Sequence, residues 1–132
     1  MSKPHFLLPL LKRVEGTPML RNARTGLLVA TKLETAFESA DRKKGLLGRD
    51  GLGPGQALII APTNLVHTFM MRFPIDILFV SRDGRVIKVR EAVPPRRIAG
   101  AWGGFAVVEC AAGHTQQSGT RVGDSIEVCR SV

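Results

Sequence analysis

One short run constrains this chain more than any other: Pro74-Ile75-Asp76-Ile77-Leu78-Phe79-Val80. Apart from Asp76 it is apolar on both faces of an extended segment. A strand of that kind belongs in the interior of a sheet, with protein above and below it. Ser81-Arg82-Asp83-Gly84-Arg85 follows. An Asp-Gly pair between two apolar runs is the strongest short hairpin signal. Val86–Arg90 then returns, with Ile87 and Val89 expected to face inward and Lys88 and Arg90 outward. A buried central strand needs partner strands and covering layers. With 132 residues, 44% of them hydrophobic, the chain supplies one such core and not two.

Other segments supply the partners. Thr17–Leu20, Leu27–Leu33, Ala57–Ala61, Val66–Met71, Phe105–Cys110 and Ser125–Val128 read as short strands. One helix is expected over about 35–45, with Thr35 as its cap and Glu38 completing a capping box. Arg42, Lys43 and Lys44 would sit in its last turn, with Gly45 as its stop. The expected fold is mainly β: a compact antiparallel β-sandwich or barrel-like domain with one short α-helix, over residues 19–132. Residues 1–18 carry Pro4, Pro9, Gly16 and Pro18 and read as an irregular, loosely held arm. The arm's apolar run, Phe6–Leu11, is interrupted by Pro9 and stops at Lys12-Arg13, so it reads as a cytoplasmic start rather than a secretory signal. No apolar stretch approaches the roughly 18 residues of a membrane span. The two cysteines, Cys110 and Cys129, read as small buried thiols; a bridge between them requires their strands to pair.

Five segments, in this order, resemble the motifs of a known family. Gly45-Leu46-Leu47-Gly48-Arg49 follows the helix. His67-Thr68-Phe69-Met70-Met71 forms a strand-like run. Pro74–Val80 is followed by Asp83-Gly84. Val107-Val108-Glu109-Cys110-Ala111-Ala112-Gly113 and Gly119 through Val122-Gly123-Asp124 close the series. Together they resemble the domain of unknown function 192 family, small bacterial and archaeal proteins. Met70 stands where the motif has Trp, and Arg72 where it has Lys. The resemblance implies a β-sandwich-like domain with one helix, and it brings no established activity.

The chemistry-bearing residues are few. Asp76 is a carboxylate in an apolar strand and needs partners, because burying it alone is costly. Either it fixes a loop through backbone N–H groups, or it pairs with His67 or Arg72 across a hairpin spanning 67–76. Glu109 lies between Val108 and Cys110; a Glu109–Asp76 pair would point to acid–base work. His5, His67 and His114 lack metal-ligand spacing, so neither a metal nor a cofactor is implied. No nucleophile elbow or phosphate loop is present.

The charge is +8. Residues 1–33 carry six basic side chains and one acid; residues 82–97 carry six against two. The second group is the better basic face, but free aromatics for stacking on single-stranded nucleic acid are nearly absent. The reading favoured by these residues is a non-enzymatic module, monomeric or a small homo-oligomer. It would bind an anionic or polar ligand through Arg72, Arg96, Arg97 and Trp102. One alternative is a metal-independent hydrolase or lyase using His67 with Asp76 or Glu109. Another is a weak nucleic-acid binder acting through the 82–97 face, a partner the aromatics do not favour.

Overall fold

The central strand demanded by the sequence is β6 (Ile75–Val80). In the computed structural model, which describes residues 4–12 and 14–131, all six of its residues are buried. It pairs antiparallel with β7 (Val86–Val93) on one side and with β9 (Ala106–Ala111) on the other. Strand β9 continues antiparallel to β4 (Gln56–Ile60), and β4 runs parallel to β3 (Lys32–Ala36). The sheet order is β3-β4-β9-β6-β7, with β3 and β7 as edges, so this sheet is open and does not close into a barrel. The parallel β3–β4 pair needs a crossover. The segment between them supplies it and contains α1 (Ser39–Lys44).

Each face of this sheet is covered. On the first face lies a three-stranded sheet of order β10-β1-β2, built from β1 (Pro18–Asn22), β2 (Leu28–Ala30) and β10 (Ile126–Arg130). Leu20, Val29 and Ile126 from that layer pack with Ile59, Leu78, Val80 and Val108. On the second face, Ile60, Ile77, Phe79 and Val107 meet Leu46 beyond α1 and the inward residues Val66 and Ala99 of a two-stranded ribbon. The ribbon pairs β5 (Leu65–His67) with β8 (Ile98–Gly100). Each fully buried Leu, Ile or Phe contributes about 1.5–3 kcal/mol relative to an exposed one, so the two cores carry the stability of the sandwich.

Several local expectations are corrected. The helix begins at Ser39, not Thr35, and Glu38 precedes it without a side-chain cap bond. Thr35 instead lies in β3 opposite Ile59. Strand pairing satisfies the backbone at 32–36 and buries Ala36, which outweighs a single cap. The run Leu27–Leu33 is two strands, because the chain leaves one sheet after Ala30 and joins the other at Lys32. At the crossing, Thr31 and Lys32 both donate backbone N–H groups to the Gly55 carbonyl, at 2.9 and 3.0 Å. Gly55 has φ +75° and a Cβ there would lie 2.1 Å from Thr31 Oγ1, so only glycine fits.

Val66–Met71 is a strand only as far as His67; Phe69 and Met70 form a turn. In β7, a bulge opposite Phe79 and Val80 places Ile87 against the second core while Val89 packs against the first. The arm is not loose: Leu7 is buried in the first core, and Phe6 donates its N–H to Arg82 O at 2.9 Å. The chain start at residues 1–3 and Arg13 lie outside the described residues.

Candidate functional site

The pleat of the sheet decides which carboxyl groups can meet. Across β6 and β9, Asp76 lies opposite Cys110, and Ile77 lies opposite Glu109. Successive side chains alternate between faces, so Asp76 points to the first face and Glu109 to the second. The expected Asp76–Glu109 pair is therefore not formed. Nor is the 67–76 hairpin: β5 pairs with β8, and β6 with β7 and β9. His67 belongs to the ribbon over the second face and does not share a side of the sheet with Asp76.

Asp76 is completely buried, and its carboxylate accepts three backbone N–H groups. Oδ1 takes Ala92 N–H at 2.8 Å, and Oδ2 takes Gly113 N–H at 3.1 Å and Thr115 N–H at 3.0 Å. The side chain thus ties the end of β7 to the turn before α2 (His114–Gln117). A second buried carboxylate, Asp124, does the same work at the closing turn. It accepts from Arg24 Nε at 2.6 Å, Asn22 Nδ2 at 2.9 Å and Arg121 N–H at 2.9 Å. The bond to Arg24, with those to Asn22 and Arg121, holds its carboxyl well below the usual carboxylate range.

Glu109 is different. It is only 4% exposed, and no hydrogen bond to its carboxyl group is present among the described residues. It lines a cavity of about 300 Å³, at the small end of ligand sites. Gly45 lies beside it: a Cβ there would stand 4.0 Å from Glu109 Oε1, at ordinary van der Waals distance. The walls come from α1 and its exit (Arg42, Lys43, Lys44, Leu46) and from the ribbon and the turn after it (Leu65, His67, Met71). Burial pushes the Glu109 carboxyl up to about 7, against the opposing charge of Arg49. Near neutral pH this group is poised between a hydrogen-bond donor and an anion. Three of the five motif segments converge here: Gly45–Arg49, His67–Met71 and Val107–Gly113.

The other expected site residues lie elsewhere. Arg72 is exposed and ion-paired with Asp50 at 2.8 Å. Arg96 and Arg97 are exposed beside the ribbon, where backbone bonds from both to Thr68 hold the loop. Trp102 is 98% exposed and borders a shallow hollow with Asn64, Leu65, Gly100 and Ala101. None of these four lines the Glu109 cavity.

On the 82–97 face, Lys88 Nζ donates to Gly100 O at 2.7 Å, and Arg82 stacks over Phe105 at 4.5 Å. Cys110 and Cys129 are unbridged, and burial pushes the Cys110 thiol up to about 12. Among the described residues no three His, Cys, Asp or Glu side chains gather to hold a metal ion, and no helix is long and apolar enough to cross a membrane. Sequence reading missed Arg42, Lys43 and Lys44 as cavity walls. Their place at the end of a helix suggested only the helix dipole, although the Gly45–Arg49 motif that follows them was a usable signal.

Fold and cavity together define a class: a β-sandwich-like domain with a cavity over a buried carboxyl group, rimmed by cations. The chain belongs to the DUF192 family, described as "Uncharacterized ACR", whose model matches residues 20–128. Among solved structures it is similar to a protein of unknown function from Novosphingobium aromaticivorans. That likeness has 27% identity and a TM-score of 0.72, over 83% of this chain and 82% of the other. It is also similar in fold to a putative transcription regulator from Sinorhizobium meliloti, with 22% identity and a TM-score of 0.73, over 89% of this chain and 98% of the other. No curated protein matches the chain.

Proposed function

We propose that this protein is a binding module whose Glu109 cavity takes a small anion. The observation that carries the reading is the Glu109 carboxyl, buried, without a hydrogen-bond partner among the described residues and pushed up to about 7, in a cavity walled by Arg42, Lys43 and Lys44. In its protonated form it donates a hydrogen bond to an anionic oxygen, while the α1 cations balance the ligand's charge. A cationic ligand would have to pass that basic wall. This reading puts the ligand in the Glu109 cavity rather than at Arg72, Arg96, Arg97 and Trp102, the ligand-binding residues expected from the sequence.

The test is isothermal titration with inorganic phosphate and with succinate, run near neutral pH in buffers of different ionisation enthalpy. An anion over Glu109 raises its proton affinity further, so binding takes up protons. Glu109→Gln removes the uptake, and Lys43→Ala with Lys44→Ala weakens binding. Absence of binding of both probes at millimolar concentration, or binding without proton uptake, overturns the reading.

A second reading rests on His67 sharing that cavity with Glu109. A carboxyl poised near neutrality is suited to general acid catalysis, as in a hydrolase or lyase. It requires that a bound anion be turned over, and that His67→Ala and Glu109→Gln each abolish product formation.

A further inference from the structure

Strand β5 of the ribbon borders the cavity with Leu65, Val66 and His67, and the ribbon also presents a largely apolar outward face. In the β5–β8 register, Leu65 lies opposite Gly100 and His67 opposite Ile98, so these four share the outward face. The Leu65 side chain lies across Gly100, where a Cβ would stand 2.9 Å from Leu65 Cδ1. Beyond one end of the ribbon stands Trp102, 98% exposed; beyond the other stand Phe69 and Met70, 44% and 84% exposed. Leu65 and Ile98 are 60% and 63% exposed. Five large apolar side chains therefore form one protruding stripe that nothing in the chain covers among the described residues. Scattered exposed apolar residues are ordinary, but a contiguous stripe of this kind marks an interaction surface.

The charge around the stripe states what kind. Residues 63–73 and 94–102, which build the ribbon and its turns, contain three arginines and no acidic residue. Arg96 and Arg97 immediately precede Ile98 and are exposed; Arg72, two residues after Met70, is ion-paired with Asp50. Lys43 and Lys44, also exposed, line the cavity that Leu65 and His67 share. An exposed Trp, exposed Leu, Ile, Met and Phe side chains and nearby exposed Arg and Lys match the interface of an anionic bilayer. There the indole sits at headgroup level and each nearby cation gains from the negative surface potential.

We infer that the outer face of the β5–β8 ribbon, with Trp102 at one end and Phe69 and Met70 at the other, docks on anionic phospholipid membranes. The docking is peripheral: the side chains enter the interface and the sandwich stays outside it. The proposal stands independently of what the Glu109 cavity binds.

Trp102 is the sole tryptophan, so it reports its own insertion. The full chain is titrated with vesicles of phosphatidylcholine alone and of an equimolar mixture with phosphatidylglycerol, following tryptophan emission and vesicle flotation. The expected result is a blue shift and flotation with the anionic vesicles, and partitioning onto neutral vesicles about tenfold weaker or less. Arg96→Glu with Arg97→Glu reduces partitioning by about tenfold or more, as does raised salt. Met70→Ser with Ile98→Ser, which leaves the reporter in place, abolishes the blue shift. Val122→Ser, an exposed apolar residue outside the stripe, changes neither signal. No blue shift and no flotation with anionic vesicles overturns the proposal, as does equal binding to neutral vesicles. A concentration-dependent dimer in sedimentation, lost in Met70→Ser with Ile98→Ser and unaccompanied by flotation, overturns it in favour of a second copy as the occupant.

Discussion

Removing the Asp76 carboxylate tests whether this side chain is a structural tie. Its two oxygens accept three backbone N–H groups, and the residue is completely buried. Asp76→Ala strands all three donors. A stranded buried donor costs about 1–3 kcal/mol, with the lower figure applying where water reaches it. Ala92 and Gly113 are exposed residues, whereas Thr115 is buried. The expected loss is therefore about 3–6 kcal/mol, a large share of the roughly 5–15 kcal/mol that holds a domain of this kind together. Asp76→Asn is milder and has a preferred orientation. Placing the amide NH₂ in the Oδ1 position faces it against one donor, Ala92 N–H, whereas the reverse faces it against two. The expected cost is about 2–4 kcal/mol. Urea unfolding followed by circular dichroism measures both. Hydrogen exchange at Thr115 supplies a local readout, and its protection falls in Asp76→Ala before global unfolding. A loss below about 1 kcal/mol for Asp76→Ala, or equal losses for Ala and Asn, refutes the reasoning, because the stranded donors set the predicted order.

Other expectations follow from the same contacts. Glu109 is raised in the folded state from 4.5 to about 7, so the unfolded chain releases its proton first and stability falls as pH rises through that window. The total is about 3 kcal/mol, and Glu109→Gln flattens this part of the stability–pH curve measured by denaturant titration. Asp124 is held below the usual carboxylate range, so its contribution is present above the ordinary carboxyl pKa and is lost as pH falls through its own lower value. Asp124→Ala removes that acid-side loss and costs about 2–4 kcal/mol at neutral pH, read by thermal melting, through the stranded Asn22 and Arg121 donors. Gly84→Ala lowers the melting temperature markedly: at φ +91° its Cβ would stand 2.8 Å from Ile126 O, and a shift there disturbs the hairpin. With a thiol-reactive chromophore, Cys129 reacts in the native protein and Cys110 reacts only on unfolding, since burial pushes its thiol up to about 12.

The sequence by itself determined the central strand, the Asp83-Gly84 hairpin and the family. All three are local signals: an apolar run, a turn dipeptide and motifs in order. It also determined that Asp76 needed partners, since a carboxylate inside Ile-Asp-Ile-Leu-Phe has no solvent to turn to. Which partners was a tertiary matter. The three amides come from Ala92, Gly113 and Thr115, far from Asp76 along the chain, and no spacing rule names them. The same holds for Thr35, a good cap by local chemistry that pairing with β4 drew into a strand. The candidate site depended on tertiary structure most of all. His67, Glu109 and the α1 cations come to line one cavity only because β5 pairs with β8 rather than with β6, and because the pleat turns Glu109 to the second face and Asp76 to the first. Pattern along the chain carries periodicity; register and layer order decide which side chains share a face, and so where a site can exist.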